Sequence, residues 1–196
     1  MNPTAHGAND AKPGIEITSE ERSMRLVVAL MVVVAAACGD SGAAPSRPQP
    51  VQAAGTWRGD LRVTSGTGEP CVGAAFQSAA GVSFEYTLRV EQSGQQLTAT
   101  SMSPATGIVC QLTGTAESST IVLNLTSCGN ASQPRFFSCA GNIFRDARAS
   151  ALVINANVSG NSLSGSYAEA YDVFDYGTTT RLGTATSNAQ LTLSRQ

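Results

Sequence analysis

The sequence predicts an all-β domain over residues 55–196. Apolar and polar residues alternate through most of this region, which is the period expected of strands that place one face on a core. Gly, Asn and Pro interrupt the alternation about every eight to twelve residues, and helix signals are nearly absent. Because a long meander removes its exposed edges most simply by closing, we predict a single up-and-down antiparallel β-barrel of about eight to ten strands.

The individual strands follow from this alternation. In the clearest run, residues 82–91, every second residue is apolar and the residues between are polar or charged. The first run places Trp57 and Val63 on one face and Arg58 on the other. In chain order, the nine predicted runs are residues 56–65, 82–91, 95–103, 107–116, 120–128, 135–145, 149–159, 162–174 and 179–195.

The segment before this domain has the features of an export signal. Leu26 to Ala37 is an unbroken run of twelve apolar residues, whereas a helix needs about twenty to cross a membrane. Arg25 precedes the run and three alanines end it, which is the order of a cleavable secretory signal. Residues 1–23 are polar and acidic, so we expect Met24 to be the true initiator. Residues 1–23 would then precede the true start of translation, and residues 24–37 would be the signal peptide. Neither segment would be present in the mature protein.

The signal ends in a cysteine. Ala35-Ala36-Ala37-Cys38 resembles the end of bacterial lipoprotein signals, in which the cysteine is lipidated and becomes the mature N-terminus. The resemblance implies lipidation of Cys38 and attachment to the cell envelope, with the periplasmic or surface face left open. The same resemblance implies that an acidic residue after the cysteine favours the inner membrane; because Gly39 follows the cysteine here, the outer membrane is favoured. An ordinary secreted protein cut near Ala37 is the alternative.

Residues 38–54 are rich in Gly, Ser, Ala and Pro and show no apolar period, so we interpret them as a lipidated tether. Most of the chain resembles uncharacterised envelope lipoproteins, a resemblance that implies no activity.

The domain opens with Gly55-Thr56-Trp57, which resembles the G-x-W of lipocalin- and avidin-type barrels and implies a calycin-like fold. In those barrels the Trp closes one end and packs against a basic residue of the last strand, for which Arg195 is the candidate. Placing Trp57 and Arg195 at the same end requires an even number of strands. Either the last run turns back at Ser187-Asn188, or one run after Cys139 lies outside the barrel. The alternative is a generic β core with one large anchor.

Four cysteines lie in the domain, an even number that predicts two disulfides in an exported protein. The predicted meander places Cys71, Cys110, Cys128 and Cys139 at one rim, opposite Trp57, and leaves three pairings open. Cys110 shares the parity of the inward residues of its run, whereas Cys128 is out of step with those of the next. Parity therefore favours Cys71–Cys110 with Cys128–Cys139. A four-thiolate zinc site is the alternative, although the spacing contains no C-x₂-C.

Catalytic motifs are missing from the predicted mature chain. The only histidine, His6, precedes the signal, and no lysine follows Cys38, so neither a Ser-His-Asp triad nor a histidine metal site can be built. We expect no enzyme activity, no cofactor and no metal.

The densest titratable group lies in the segment YAEAYDVFDYG. Glu169 shares parity with the neighbouring tyrosines, which would turn it inward near a barrel mouth. We nevertheless expect the carboxylates to be solvated strand-end charges, with the tyrosines as wall. A calcium site and a glycosidase-like carboxylate pair are the alternatives. The candidate ligand or ion contacts are Tyr167, Glu169, Tyr171, Asp172 and Asp175.

Charge and composition limit the classes of partner that the protein is expected to bind. After Cys38, nine arginines stand against ten acidic residues with no basic stripe, so we do not expect nucleic acid to bind. We expect a monomeric, lipid-anchored envelope protein whose barrel binds a small or hydrophobic molecule. The alternative is a structural or interaction module without a ligand cavity, which the small, polar residues of 95–103 favour.

Overall fold

The computed structural model describes residues 49–102, 108–129 and 135–196. The predicted signal at 24–37 and the predicted lipidation site, Cys38, lie outside the described residues. The described residues form nine strands and one helix: β1 (Gly55–Gly68), α1 (Pro70–Ser78), β2 (Ser83–Ser93), β3 (Gln96–Met102), β4 (Val109–Glu117), β5 (Thr120–Cys128), β6 (Arg135–Cys139), β7 (Ile143–Ser159), β8 (Ser162–Asp175) and β9 (Arg181–Arg195).

The strands form one antiparallel sheet in the order β5-β4-β3-β2-β1-β9-β8-β7-β6. Residues 120–124 of β5 also pair with residues 153–157 of β7, which joins the sheet to itself. Eight strands therefore close into an up-and-down barrel, and β6 lies outside the closure. The predicted all-β, up-and-down antiparallel barrel is confirmed.

The even strand count arises from the length of β7. Its first residues pair with β6 and its later residues pair with β5, so a single strand serves both neighbours. The prediction of one strand over 135–145 is wrong, because a turn at residues 140–142 divides it. Gly141 and Asn142 adopt positive φ angles in this turn, at 77° and 57°, which favours Gly and Asn. The strand outside the barrel ends at Cys139, and β9 is continuous through Ser187-Asn188.

The barrel interior is an apolar core built by the inward face of each strand. We call the end at which β1 begins and β9 ends the lower end, and the opposite end the upper end. Along β2, buried residues alternate with more exposed ones, as the sequence predicted. Fully buried side chains that fill the interior include Trp57, Leu88, Leu112, Ile121, Leu123, Ile154 and Leu163.

A short helix covers the upper end, in the segment between the first two predicted strands. Glu69 caps α1, because its Oε2 accepts hydrogen bonds of 2.9 Å from the backbone N–H groups of Cys71 and Val72. A proline occupies the first turn, where no N–H partner is needed. Gly66 of β1 allows the helix to approach, because a Cβ there would overlap that of Phe76.

The helix and the extra strand meet over the barrel, and we call α1 and β6 together the cap. Phe76 of α1 stacks on Tyr171 of β8, with ring centroids 5.2 Å apart, and meets the edge of Phe137 of β6 at 5.4 Å. The apolar cluster beneath the cap comprises Val72, Phe76, Ala147, Tyr171, Val173 and Ala185. Among the described residues, no helix is long and apolar enough to span a membrane.

The four cysteines lie at the upper end and form two disulfides, Cys71–Cys139 and Cys110–Cys128. The first joins the two parts of the cap, with a Cα–Cα distance of 5.7 Å. The second joins neighbouring strands across the ladder. The predicted pairing, Cys71–Cys110 with Cys128–Cys139, is therefore wrong, and the thiolates that a zinc site would need are consumed.

A β-bulge explains this error. The ladder between β4 and β5 places Leu112 opposite Leu125 but Cys110 opposite Cys128, so three steps on β5 match two on β4. Thr126 and Ser127 are both exposed at this irregularity. The extra residue reverses the parity of β5 and turns Cys128 toward Cys110.

Candidate functional site

A layer of buried polar side chains lies inside the upper half of the barrel, between the apolar core and the cap. Along β8 the inward residues change from the apolar Leu163 to Tyr167, Glu169 and Tyr171 and return to apolar at Val173. Strands β2, β3, β6 and β9 complete the layer. We call this set the polar layer: Tyr86, Ser101, Arg135, Tyr167, Glu169, Tyr171 and Ser187.

Glu169 is the centre of the polar layer. Its side chain is only 3% exposed, and both of its oxygens have partners. Arg135 places Nη2 3.4 Å from Oε1, and the Tyr167 hydroxyl donates a 2.7 Å hydrogen bond to Oε2. These partners are needed because an unpaired carboxylate at this depth would be strongly destabilising.

Arg135 reaches the polar layer from β6, the strand outside the barrel. Its guanidinium carbon lies 5.0 Å from the centroid of the Tyr171 ring, within the range of a cation–π contact. The side chain remains 22% exposed, so the layer is in contact with solvent at this point. Burial lowers the pKa of Arg135, but the Glu169 carboxylate and the nearby tyrosines raise that pKa by more, which holds the guanidinium in its charged form.

Three tyrosines surround this ion pair. The rings of Tyr86 and Tyr167 meet edge to face, with centroids 5.7 Å apart. Burial raises the pKa of each of the three phenols, and the Glu169 carboxylate raises it further. Within the described residues, the buried hydroxyls of Tyr86 and Tyr171 make no hydrogen bond of good geometry, although Ser101 and Glu169 respectively lie close enough to influence them.

The structure divides the five predicted contact residues. Three belong to the polar layer: Tyr167, Glu169 and Tyr171. The expectation of a solvated charge is therefore wrong for Glu169, which is buried. Asp172 instead faces outward and accepts hydrogen bonds of 2.7 and 3.0 Å from Arg181. Asp175 lies at the rim, 3.0 Å from Arg145. The carboxylates therefore do not converge, and the described residues contain no group of three His, Cys, Asp or Glu placed to hold a metal ion.

Arg135 was not found by sequence reasoning. It lies in a five-residue strand, which is too short for its alternation to define an inward face from the sequence alone. A buried Glu169 does predict a cationic partner, but nine arginines after Cys38 could supply it. Only the return of β6 over the barrel mouth selects Arg135.

The lower end of the barrel is closed. Trp57 is fully buried and its indole Nε1 donates a 2.8 Å hydrogen bond to the carbonyl of Ala53. The Arg195 guanidinium lies 4.5 Å from the indole ring and donates to the carbonyl of Gln52. These contacts leave the upper end as the side from which the polar layer can be reached.

Two surface features lie outside the polar layer. An open groove of about 300 Å³ on the outer face of β2, β3 and β4 is lined mainly by polar side chains such as Arg89 and Gln111, so it is not an apolar calyx. Near the cap, Phe136, Phe144 and Tyr176 form an exposed aromatic cluster, with ring centroids 5.2 to 6.0 Å apart.

The fold and the polar layer define a class of protein, a closed eight-stranded barrel with a disulfide-linked cap over a buried ion pair. No family model, curated protein or solved structure matches the chain. The assignment of function therefore depends on the residues of the polar layer and on the sequence features before residue 55.

Proposed function

We propose that this chain is a lipid-anchored protein of the bacterial cell envelope whose barrel domain binds a small molecule at its upper end. The lipobox-like segment ending in Cys38 supports anchoring, with the outer membrane favoured. The part of residues 38–54 that precedes Val51 would serve as the tether, because Ala53 is buried against the barrel core. Several acyl chains on Cys38 would hold the protein firmly, since each buried CH₂ contributes about 0.8 kcal/mol.

The polar layer is the observation that carries the binding proposal. A buried ion pair is a weak source of stability, because the cost of desolvating two charges offsets much of their attraction. Tyr167 and Glu169 nevertheless occupy inward positions of the barrel, and Arg135 reaches them from β6. Convergent polar groups of this kind with apolar residues on both sides are typical of small-molecule sites.

Binding fits these residues better than catalysis. The chain after Cys38 has no histidine or lysine to act as a general base near neutral pH. The phenols of the polar layer have raised pKa values, so they stay protonated and serve as hydrogen-bonding groups. We propose a monomeric binding protein without cofactor or metal.

Native mass spectrometry of protein purified from a bacterial envelope tests this function. We expect a small molecule to remain with the wild-type protein and to be lost from the Glu169→Gln variant. Arg58→Ala is the matched control, because its ion pair with Glu85 lies on the exposed outer face. A wild-type spectrum without any adduct, in gentle conditions that preserve both disulfides, would contradict the binding proposal.

The second candidate function is a structural or interaction module of the envelope. It is favoured by the lower interior, which the protein's own side chains fill, and by the exposed cluster of Phe136, Phe144 and Tyr176. A protein of this class would carry no small molecule. It would instead lose a protein or envelope partner when these aromatic residues are changed to serine, while Glu169→Gln would leave that partner bound.

A further inference from the structure

We infer that the upper end of the barrel is a site for an organic cation, an alkylammonium or guanidinium group, and that Arg135 occupies it as an internal ligand. The inference builds on the proposed small-molecule function and specifies the chemistry of the molecule. It depends on how Glu169 and the tyrosines surround a positive charge.

The surroundings of the Arg135 guanidinium are those that bind organic cations. A carboxylate, Glu169, lies on one side and the Tyr171 ring on another, at 3.4 Å from Nη2 and 5.0 Å from the guanidinium carbon. Tyr86 and Tyr167 lie close enough to influence its charge. Aromatic rings attract cations through their negative faces, and the attraction strengthens when water is excluded.

Arg135 fills this site incompletely. A charge-assisted N–H···O⁻ bond is usually about 2.7 to 2.9 Å long, whereas Arg135 lies 3.4 Å from Glu169. The hydroxyls of Tyr86 and Tyr171 are buried without a hydrogen bond of good geometry among the described residues. Both hydroxyls have lone pairs that can accept N–H donors. A cation not attached to β6 could approach Glu169 more closely and satisfy these groups.

Arg135 can also leave without opening the barrel. Strand β6 has five residues and, in the described part of the chain, pairs with β7 alone. The barrel closes through β5 and β7, so its ladder does not depend on β6. The disulfide to Cys71 holds β6 at Cys139, its last residue, whereas Arg135 is its first. The strand can therefore withdraw at the Arg135 end and remain attached at the other.

Vacating the site by mutation tests the inference. Methylguanidinium should bind the Arg135→Ala variant and not the wild-type protein at the same concentration, as measured by calorimetry. At ten times its Kd it should raise the Tm of the variant by about 5 °C. The double variant Arg135→Ala with Glu169→Gln should lose both effects, whereas Arg58→Ala should behave as the wild type.

Several outcomes overturn the inference. Arg135 is only a structural partner of Glu169 if Arg135→Ala is folded and binds neither methylguanidinium nor tetramethylammonium. Acetate binding as tightly as methylguanidinium would exclude a cation site. If Arg135→Ala fails to fold, the Arg135→Met variant keeps the packing of the aliphatic part of the side chain. The same titrations with methylguanidinium and tetramethylammonium then test that variant. A co-purified ligand without a cationic group would support the proposed function and overturn this inference. Methylguanidinium binding without any co-purified ligand would support the cation site alone.

Discussion

The guanidinium carbon of Arg195 lies 4.5 Å from the centroid of the Trp57 ring, and the two residues are paired across β1 and β9. The first and last strands of the barrel therefore meet at the lower end, where the chain enters. Ala53, which is fully buried, accepts a hydrogen bond from the indole. One aromatic side chain thus links the entering segment, the first strand and the last.

Trp57→Ala should lower the free energy of unfolding by about 3 to 5 kcal/mol, because it removes a fully buried aromatic side chain and leaves a cavity. Arg195→Ala should cost less, about 1 to 2 kcal/mol, through the lost cation–π contact and packing. Denaturant titrations of both variants measure these values. Equal costs, or a cost below about 1 kcal/mol for Trp57→Ala, would show that the indole does not close the barrel.

The strands and their closure into a barrel could be predicted from the sequence. The strands follow from the local alternation of apolar and polar residues, and the closure follows from the requirement for an even number of strands. Residues 82–91 alternate clearly enough to define β2. The position of Trp57 and Arg195 at one end required an even number of strands, and the structure has eight in the barrel.

The bulge in β5, helix α1 and the Arg135–Glu169 ion pair could not be predicted, because each departs from the regular patterns by which strands, helices and contacts are recognised in a sequence. The bulge near Thr126 reverses the parity of β5, and no Gly or Pro marks it in the sequence. Helix α1 has only nine residues, and its N-cap is a glutamate, outside the common set of capping residues. The pairing of Arg135 with Glu169 spans 34 residues and two strands that are not neighbours, so no periodic pattern records it.

The two disulfides should contribute unequally to stability. Cys71–Cys139 closes a loop of 68 residues and Cys110–Cys128 one of 18. Loop entropy then predicts losses of about 4 and about 3 kcal/mol when each pair is changed to serine. Thermal unfolding of the two double variants measures the difference. Peptide mapping provides the control, and recovery of a Cys71–Cys110 peptide would contradict the structure.

Cys38→Ser should release the protein from membranes, because lipid attached at this residue is the proposed anchor. Fractionation of the bacterial envelope in detergent-free buffer measures the change. Cys110→Ser with Cys128→Ser is the matched control, since it removes a disulfide from the barrel and should leave the protein in the membrane fraction. A Cys38→Ser protein that still sediments with the envelope would contradict the lipoprotein proposal.

The buried phenols should make the domain unfold in alkali. Tyr86, Tyr167 and Tyr171 have pKa values raised by burial and by Glu169, whereas a tyrosine in the unfolded chain ionises near pH 10. The folded state therefore holds more protons above that pH. Its stability is constant with respect to these groups below about pH 10 and falls at higher pH, by about 1.4 kcal/mol per pH unit for each tyrosine.

Tyr171→Phe should reduce the fall of the free energy of unfolding with pH from that of three tyrosines to that of two. The pH midpoint of unfolding should therefore rise. The change removes a hydroxyl without a well-formed hydrogen bond and keeps the ring that stacks on Phe76, so stability at neutral pH should change little. Denaturant titrations across the alkaline range measure the slope. Tyr176→Phe is the matched control, because this residue is 56% exposed and lies outside the polar layer. If Tyr171→Phe and the wild type unfold with the same slope, the Tyr171 hydroxyl is in contact with water and the polar layer is more open than the structure shows.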